Sequence, residues 1–229
     1  MQTIGLIGGM SWESSAEYYR LANEAVAREL GGLHSARLLM TSVDFADIEE
    51  LQRDGDWDRT GVLLAAEARS LQDGGADMVL LCTNTMHIVA DAVAAAVDIP
   101  LLHIIDVTAA AVLAAGHRRV GLLATGFTME MPFYRDRMAA HGIDVVVPDT
   151  DDRALVHRVI YDELCRGIVL DSSRAAYRDV IGRLVAAGVE GVVLGCTEIE
   201  LLITQADSAV PVFPTTRLHV EAAVARALG

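Results

Sequence analysis

Two cysteines, Cys82 and Cys196, have the types and spacing that suggest chemistry. Each follows a short apolar run, MVLL at 78–81 and VVLG at 192–195, and each precedes a threonine. An apolar run without polar alternation reads as a strand covered on both faces. The segment after each cysteine reads as helix. Both thiols are therefore expected at the C-terminal end of a strand, the edge at which open parallel sheets bind ligands. A helix N-terminus there favours thiolate over thiol and draws the ordinary pKa of about 8.5 toward neutrality. Two such groups suit inversion of a stereocentre. One removes a proton from carbon, the other delivers a proton to the opposite face, and the roles exchange in reverse. The charge that develops needs hydrogen-bond donors at the substrate carboxylate, and Thr83-Asn84-Thr85 and Thr197-Glu198 stand beside the thiols to meet it. A lone free cysteine is ordinarily a small buried hydrophobe; two at matching positions weigh against that reading here.

The matching positions belong to a wider repeat. IGLIGGM at 4–10 is echoed by VGLLATG at 120–126, MVLLCTNT at 78–85 by VVLGCTEI at 192–199, and Ile99-Pro100 by Val210-Pro211. The echoes come in the same order at nearly the same offset. An offset above about 100 residues indicates duplicated domains rather than a solenoid. Strand patterns over 4–7, 37–43, 78–81 and 101–104 alternate with helical patterns over 13–30, 60–72 and 86–97. In the second half, strands at 120–123, 144–147, 192–194 and 212–213 alternate with helices at 131–141, 154–164, 175–187, 198–205 and 218–228. This alternation predicts an α/β fold of two similar pseudo-symmetric lobes, each a mostly parallel sheet with helices on both faces and the active site in the cleft between them. The lobes are expected at 1–98 and 99–213, with 214–229 a terminal helix that packs back on the first lobe.

The chain has 229 residues, 52% of them hydrophobic, and a net charge of −14. So acidic a protein repels phosphate backbones and anionic bilayers, which excludes nucleic acid and membrane surfaces as general partners. No apolar run is long enough to suggest a membrane span. All 18 basic residues are arginine. Without lysine, the chain offers no Schiff-base partner to pyridoxal phosphate and no P-loop lysine. The third cysteine, Cys165, has no counterpart in the repeat. None of the three cysteines has zinc-like spacing, so no metal is expected. Free thiols and an N-terminus that opens directly on a strand pattern predict a cytoplasmic location. The acidic stretch at 149–152 reads as a solvated turn, not a complete calcium loop.

The segments GLIGGMSWESS (5–15), LGGLHSA (30–36), SVDFADIEE (42–50), LCTNTMH (81–87) and GCTEIELL (195–202) resemble the aspartate/glutamate racemase family. Within it they are most similar to the branch of broad-specificity amino-acid racemases. The likeness runs from the first strand to the last helix, and C-T-N-T paired with G-C-T-E is its specific part. It implies two α/β lobes, no cofactor, a small-molecule amino-acid substrate and a homodimer. It also implies catalysis by paired cysteines at Cys82 and Cys196, with substrate contacts at Met10, Gln52, Thr83, Asn84, Thr85, Thr197 and Glu198. Thr125 is the corresponding loop residue of the second half. Glu198 stands where cell-wall glutamate racemases carry histidine, which points away from that enzyme. Phe213-Pro214-Thr215-Thr216 departs from the family's F-D-T-T by placing proline where the acid usually stands. Arg166 lies near the position at which aspartate-specific relatives carry a basic group, though a solvated helix-end arginine is the plainer reading. His87, His103 and His219 read more simply as satisfied helix or core histidines than as ligands.

Two other readings stay open at this point. The same superfamily contains hydantoin racemases, maleate isomerases and single-cysteine decarboxylases. A two-lobed binder without catalysis would also suit the fold, and Pro214 is the feature in its favour.

Overall fold

The computed structural model describes residues 1–229, in two compact units. The first comprises Met1–Ile104 with His219–Gly229, and the second Ile105–Leu218.

In the first unit, strand Ile4–Gly8 (β1) leads to helix Trp12–Leu30 (α1), strand Leu38–Ser42 (β2), helices Phe45–Asp54 (α2) and Trp57–Asp73 (α3), and strand Met78–Leu81 (β3). The strands are parallel in the order β2-β1-β3. Every residue of β1 and β3 is buried, as their unbroken apolar runs require. Because side chains alternate along a strand, Ile4, Leu6, Met78, Leu80 and Cys82 share one cluster with Tyr18, Leu21, Ala25 and Val26 of α1. The same cluster takes in Val220, Ala223, Val224 and Ala227 of the C-terminal helix. Ile7, Val79 and Leu81 join Leu64, Ala68 and Leu71 of α3 in the other cluster. Each such aliphatic side chain contributes about 1.5–3 kcal/mol on burial. The α1 positions 18, 21, 22, 25 and 26 form a single helical stripe. Ser11 caps that helix by accepting the Ser14 N–H.

After β3 the chain makes a 3-10 turn, Thr85–Val89, and one turn of helix, Ala90–Ala94 (α4). The strand expected over 101–104 is reduced to a parallel bridge between Leu101 and Val79, because Ile104 already starts helix Ile104–Ala114 (α5). Pro100 O and Leu102 N still hydrogen-bond along β3. The first unit therefore extends to Ile104, beyond position 98. It resumes inside the last helix, at His219 instead of 214.

The second unit carries strand Arg119–Leu123 (β4), helices Gly126–Glu130 (α6) and Pro132–Ala140 (α7), strand Asp144–Val146 (β5) and helix Thr150–Asp162 (α8). A 3-10 turn, Leu164–Arg166, precedes helix Asp171–Ala186 (α9), strand Gly191–Leu194 (β6) and helix Ile199–Leu202 (α10). Strand Val212–Pro214 (β7) and helix Thr215–Leu228 (α11) complete the chain. The parallel sheet has the order β5-β4-β6-β7. This matches the order β2-β1-β3-Leu101 of the first unit, so the repeat in sequence is a repeat in topology.

Three helices lie outside the sequence expectation: α2, α5 and α6. The α5 segment, IIDVTAAAVLA, has almost no polar face, so no helical period marks it. The helix expected over 198–205 shrinks to α10 because Ile203 turns to extended backbone. No helix is long and apolar enough to cross a membrane.

Candidate active-site residues

Cys82 continues the β3 ladder by one residue, donating its N–H to Ile7 O across 3.0 Å. Ser14 Oγ donates to Cys82 O across 3.3 Å, which ties the start of α1 to the same loop. The side chain is fully buried against the apolar cluster. Burial pushes the Cys82 thiol well above its ordinary range. The lowered pKa expected from a helix N-terminus is therefore not found. Desolvation of the charged form outweighs it, and a 3-10 turn stands where a long helix was expected.

His87 closes this loop. The Ile104 N–H donates to its Nε2 across 3.2 Å, so the proton sits on Nδ1, which donates to Thr83 O across 2.8 Å. The His103 ring lies 4.5 Å from the His87 ring, tilted by 60°. His219 is held in the opposite tautomer: Nε2–H donates to Leu102 O across 2.8 Å, and Nδ1 accepts from Tyr18 Oη across 2.9 Å. Complete burial pushes His219 down to about 4. Both rings act as neutral braces.

Gly8 and Gly9 shape the loop after β1. Gly9 has φ of +90°, and a Cβ there would lie 2.2 Å from Val43 O. Its N–H donates to Ser15 Oγ across 2.8 Å. The Met10 side chain is buried with Ile48, Leu81 and Met86, so it belongs to the core. Gln52, read from sequence as either a contact or a solvated helix end, is only 3% exposed on α2. Asn84 and Thr85 are buried beside Cys82, and Thr83 is half-buried.

The second cysteine loop has its own supports. The Gly195 N–H donates to Leu123 O across 2.8 Å, and a Cβ at Gly195 would crowd Leu122 at 2.9 Å. Cys196 Sγ donates to Glu198 Oε2 across 2.9 Å. Burial, then the charges of Glu198 and Cys165, hold the Cys196 thiol well above its ordinary range. Thr216 Oγ1 donates to Thr197 Oγ1 across 2.9 Å, the Thr216 N–H to Glu200 Oε1 across 2.9 Å, and Thr215 Oγ1 to Leu194 O across 2.9 Å. The two threonines that follow Pro214 thus hold the Cys196 loop. Pro214 pairs with Leu194 on the edge strand β7, where proline is tolerated.

Thr125 caps α6 by accepting the Thr128 N–H, a structural task. Arg166 is exposed on the turn that also carries Cys165. The sequence missed Ser14, Thr216 and the influence of Cys165 on Cys196. Ser14 and Thr216 lie in segments singled out beforehand, 5–15 and 213–216, and Cys165 was noted as the third cysteine, but none was given a role at the site. No group of three or more His, Cys, Asp or Glu side chains is placed to hold a metal ion.

The model of the Asp/Glu/Hydantoin racemase family matches residues 7–223. A crystal structure of a candidate Asp/Glu racemase from Yersinia pestis is 52% identical, with a TM-score of 0.94 and 100% of both chains covered. An aspartate racemase homologue from Pyrococcus horikoshii OT3 is 32% identical, with a TM-score of 0.87 and 100% of both chains covered. An aspartate racemase from Picrophilus torridus shares the fold at 21% identity and a TM-score of 0.77, over 99% of this chain and 94% of that one.

Proposed function

This chain belongs to the Asp/Glu/Hydantoin racemase family, and on that premise we propose that it is an amino-acid racemase that works without pyridoxal phosphate, with Cys82 and Cys196 as its acid–base pair. The observation that carries the reading is positional. Cys82 directly follows β3, and Cys196 follows β6 after Gly195, so both lie just past the C-terminal end of the corresponding strand in two sheets with the same strand order. Aspartate or glutamate is the substrate class favoured by the names of the relatives from Yersinia pestis and Pyrococcus horikoshii. We expect a homodimer, to be checked by sedimentation.

The chemistry follows from the thiols. A thiolate takes the α-proton and becomes a thiol, the C–H electron pair passes into the substrate carboxylate, and the second thiol returns a proton to the other face and becomes a thiolate. Thiols held above their ordinary range make stronger bases once ionised, which suits a weakly acidic C–H bond. The Thr83, Thr85 and Thr197 hydroxyls and the Asn84 amide are the groups we assign to the developing carboxylate charge. The absence of lysine accords with a mechanism that lacks a Schiff base.

Proton NMR in D2O with separate L- and D-aspartate, L- and D-glutamate and several neutral amino acids tests the reading. Loss of the α-proton signal with formation of the opposite hand is expected, and Cys82→Ala and Cys196→Ala should each abolish racemisation. A folded, reduced wild-type protein that exchanges none of these α-protons would remove amino-acid racemisation and leave another carbon acid or a binding role.

A further inference from the structure

The two cysteine loops are repeats of one another, yet they differ in charge. The triplet is Cys82-Thr83-Asn84 in the first and Cys196-Thr197-Glu198 in the second. Asn84 is buried and neutral, whereas Glu198 is buried with a carboxylate oxygen 2.9 Å from Cys196 Sγ. Family resemblance placed Glu198 on substrate; its geometry places it on sulfur.

We propose that Glu198 is a positioning residue for Cys196: its carboxylate accepts the Sγ–H and keeps the proton on that sulfur, so that Cys82 is the first of the two thiols to ionise. The contact is selective for one protonation state. A thiol offers a proton to the carboxylate, while a thiolate at the same place would set two negative charges side by side. No counterpart of that repulsion arises at Cys82, which is surrounded by the apolar side chains of α1, β1 and the C-terminal helix.

Most of the groups that face Cys196 point the same way, the Glu198 backbone N–H, which favours the thiolate, being the exception. Glu198 lies on its own loop, and the Cys165 thiol and the Tyr177 phenol come from the 3-10 turn and from α9. Glu163 acts on Tyr177 in turn. Each of these groups is neutral or negative, so together they oppose a thiolate at Cys196. Around Cys82 no charged group joins burial in shifting the thiol, and the side chains that share its cluster are apolar apart from the Tyr18 phenol, whose hydroxyl is turned to His219.

On the two-thiol reading, from which this inference takes its catalytic meaning, the resting protein has an order built into a symmetric frame. Both thiols are held above their ordinary range, and Cys82 is the one that first becomes the base while Cys196 stays the acid. The substrate hand whose α-proton faces Cys82 meets the resting form directly. The other hand requires the proton to move first from Cys196 to Cys82 through solvent.

Iodoacetamide alkylation of the full chain, followed for each cysteine by peptide-resolved mass spectrometry between about pH 6 and 11, reads both ionisations without turnover. Wild-type protein should show a lower midpoint for Cys82 than for Cys196. Glu198→Gln should lower the Cys196 midpoint by about one pH unit, which is about tenfold faster alkylation at a pH below both midpoints. The Cys82 midpoint should stay in place. Glu198→Asp, which keeps the charge, should stay nearer wild type. A wild-type protein in which Cys196 ionises first overturns the proposal and needs no variant. So does a folded Glu198→Gln protein whose Cys196 midpoint does not fall. If wild type exchanges no amino-acid α-proton but keeps this order of ionisation, the racemase reading fails and the role of Glu198 stands.

Discussion

Thr216 Oγ1 donates to Thr197 Oγ1 across 2.9 Å, so the first turn of α11 holds the residue that follows Cys196. Thr216 is fully buried and Thr197 nearly so. Thr216→Val keeps the shape and removes the donor to the Thr197 hydroxyl. We expect a loss of about 1–3 kcal/mol in urea unfolding. On the racemase reading, α-proton exchange should also slow with little change in apparent substrate affinity, because the Cys196 loop loses its brace and the substrate loses no contact. Exchange at the wild-type rate would show that this brace is dispensable.

Gly9 tests the loop after β1. At φ of +90° an L-residue is strained, and its Cβ would lie 2.2 Å from Val43 O. Gly9→Ala should destabilise the fold by about 3 kcal/mol or more. Denaturant midpoints compared with Gly31→Ala provide the control. Gly31 also has positive φ, but a Cβ there meets nothing within 4 Å, so the difference between the two variants reports the close approach alone.

His219 gives the stability a specific acid dependence. Burial lowers its folded pKa to about 4, whereas the unfolded chain titrates near 6.5. Between these values the unfolded state binds the extra proton, so stability falls as pH falls. The contribution is complete above about pH 6.5 and lost by about pH 4, an effect of about 3 kcal/mol. Urea unfolding at a series of pH values checks it. His219→Gln can still donate to Leu102 O and accept from Tyr18, but it does not titrate. The variant should show a shallower loss over that window, and equal slopes would contradict the assignment.

Asp207 should matter at the other end of the second unit. Burial alone would raise its carboxyl pKa, but the Thr204 N–H, Arg178 and the Thr204 hydroxyl together bring it below the usual carboxylate range. The Thr204 N–H donates across 2.9 Å and Arg178 Nε across 2.6 Å. Asp207→Asn keeps the size and removes the charge. We expect it to destabilise the fold by about 2 kcal/mol near neutral pH. A folded pKa below the unfolded one means that this contribution is present above about pH 4 and disappears in more acidic solution. The gap between wild type and variant should therefore narrow on acidification, which thermal melts at pH 7 and pH 3 can follow.

Much of the molecule was legible along the chain because it rests on local patterns. MVLL and VVLG are short runs apolar at every position, as strands covered on both faces are in an α/β chain. The echo of Cys82-Thr83 in Cys196-Thr197 marked both candidate thiols, and the echoing strand runs marked the shared sheet order. Helix α5 was not legible, since a segment apolar on every side carries no period. Which role each side chain takes was decided by the fold. Met10 was placed by its packing with Ile48 of α2 and Leu64 of α3, and His87 became a brace only because Ile104, far along the chain, donates to it. The direction of the thiol shifts was decided by burial, which brings desolvation from residues distant in sequence and outweighs the helix-end effect that spacing alone suggests. Sequence by itself determined that there are two cysteine loops of one design. The sequence also wrote asparagine in one loop and glutamate in the other, but only the tertiary structure gave that difference its consequence, by closing Glu198 onto the sulfur of Cys196 and leaving Cys82 among apolar side chains.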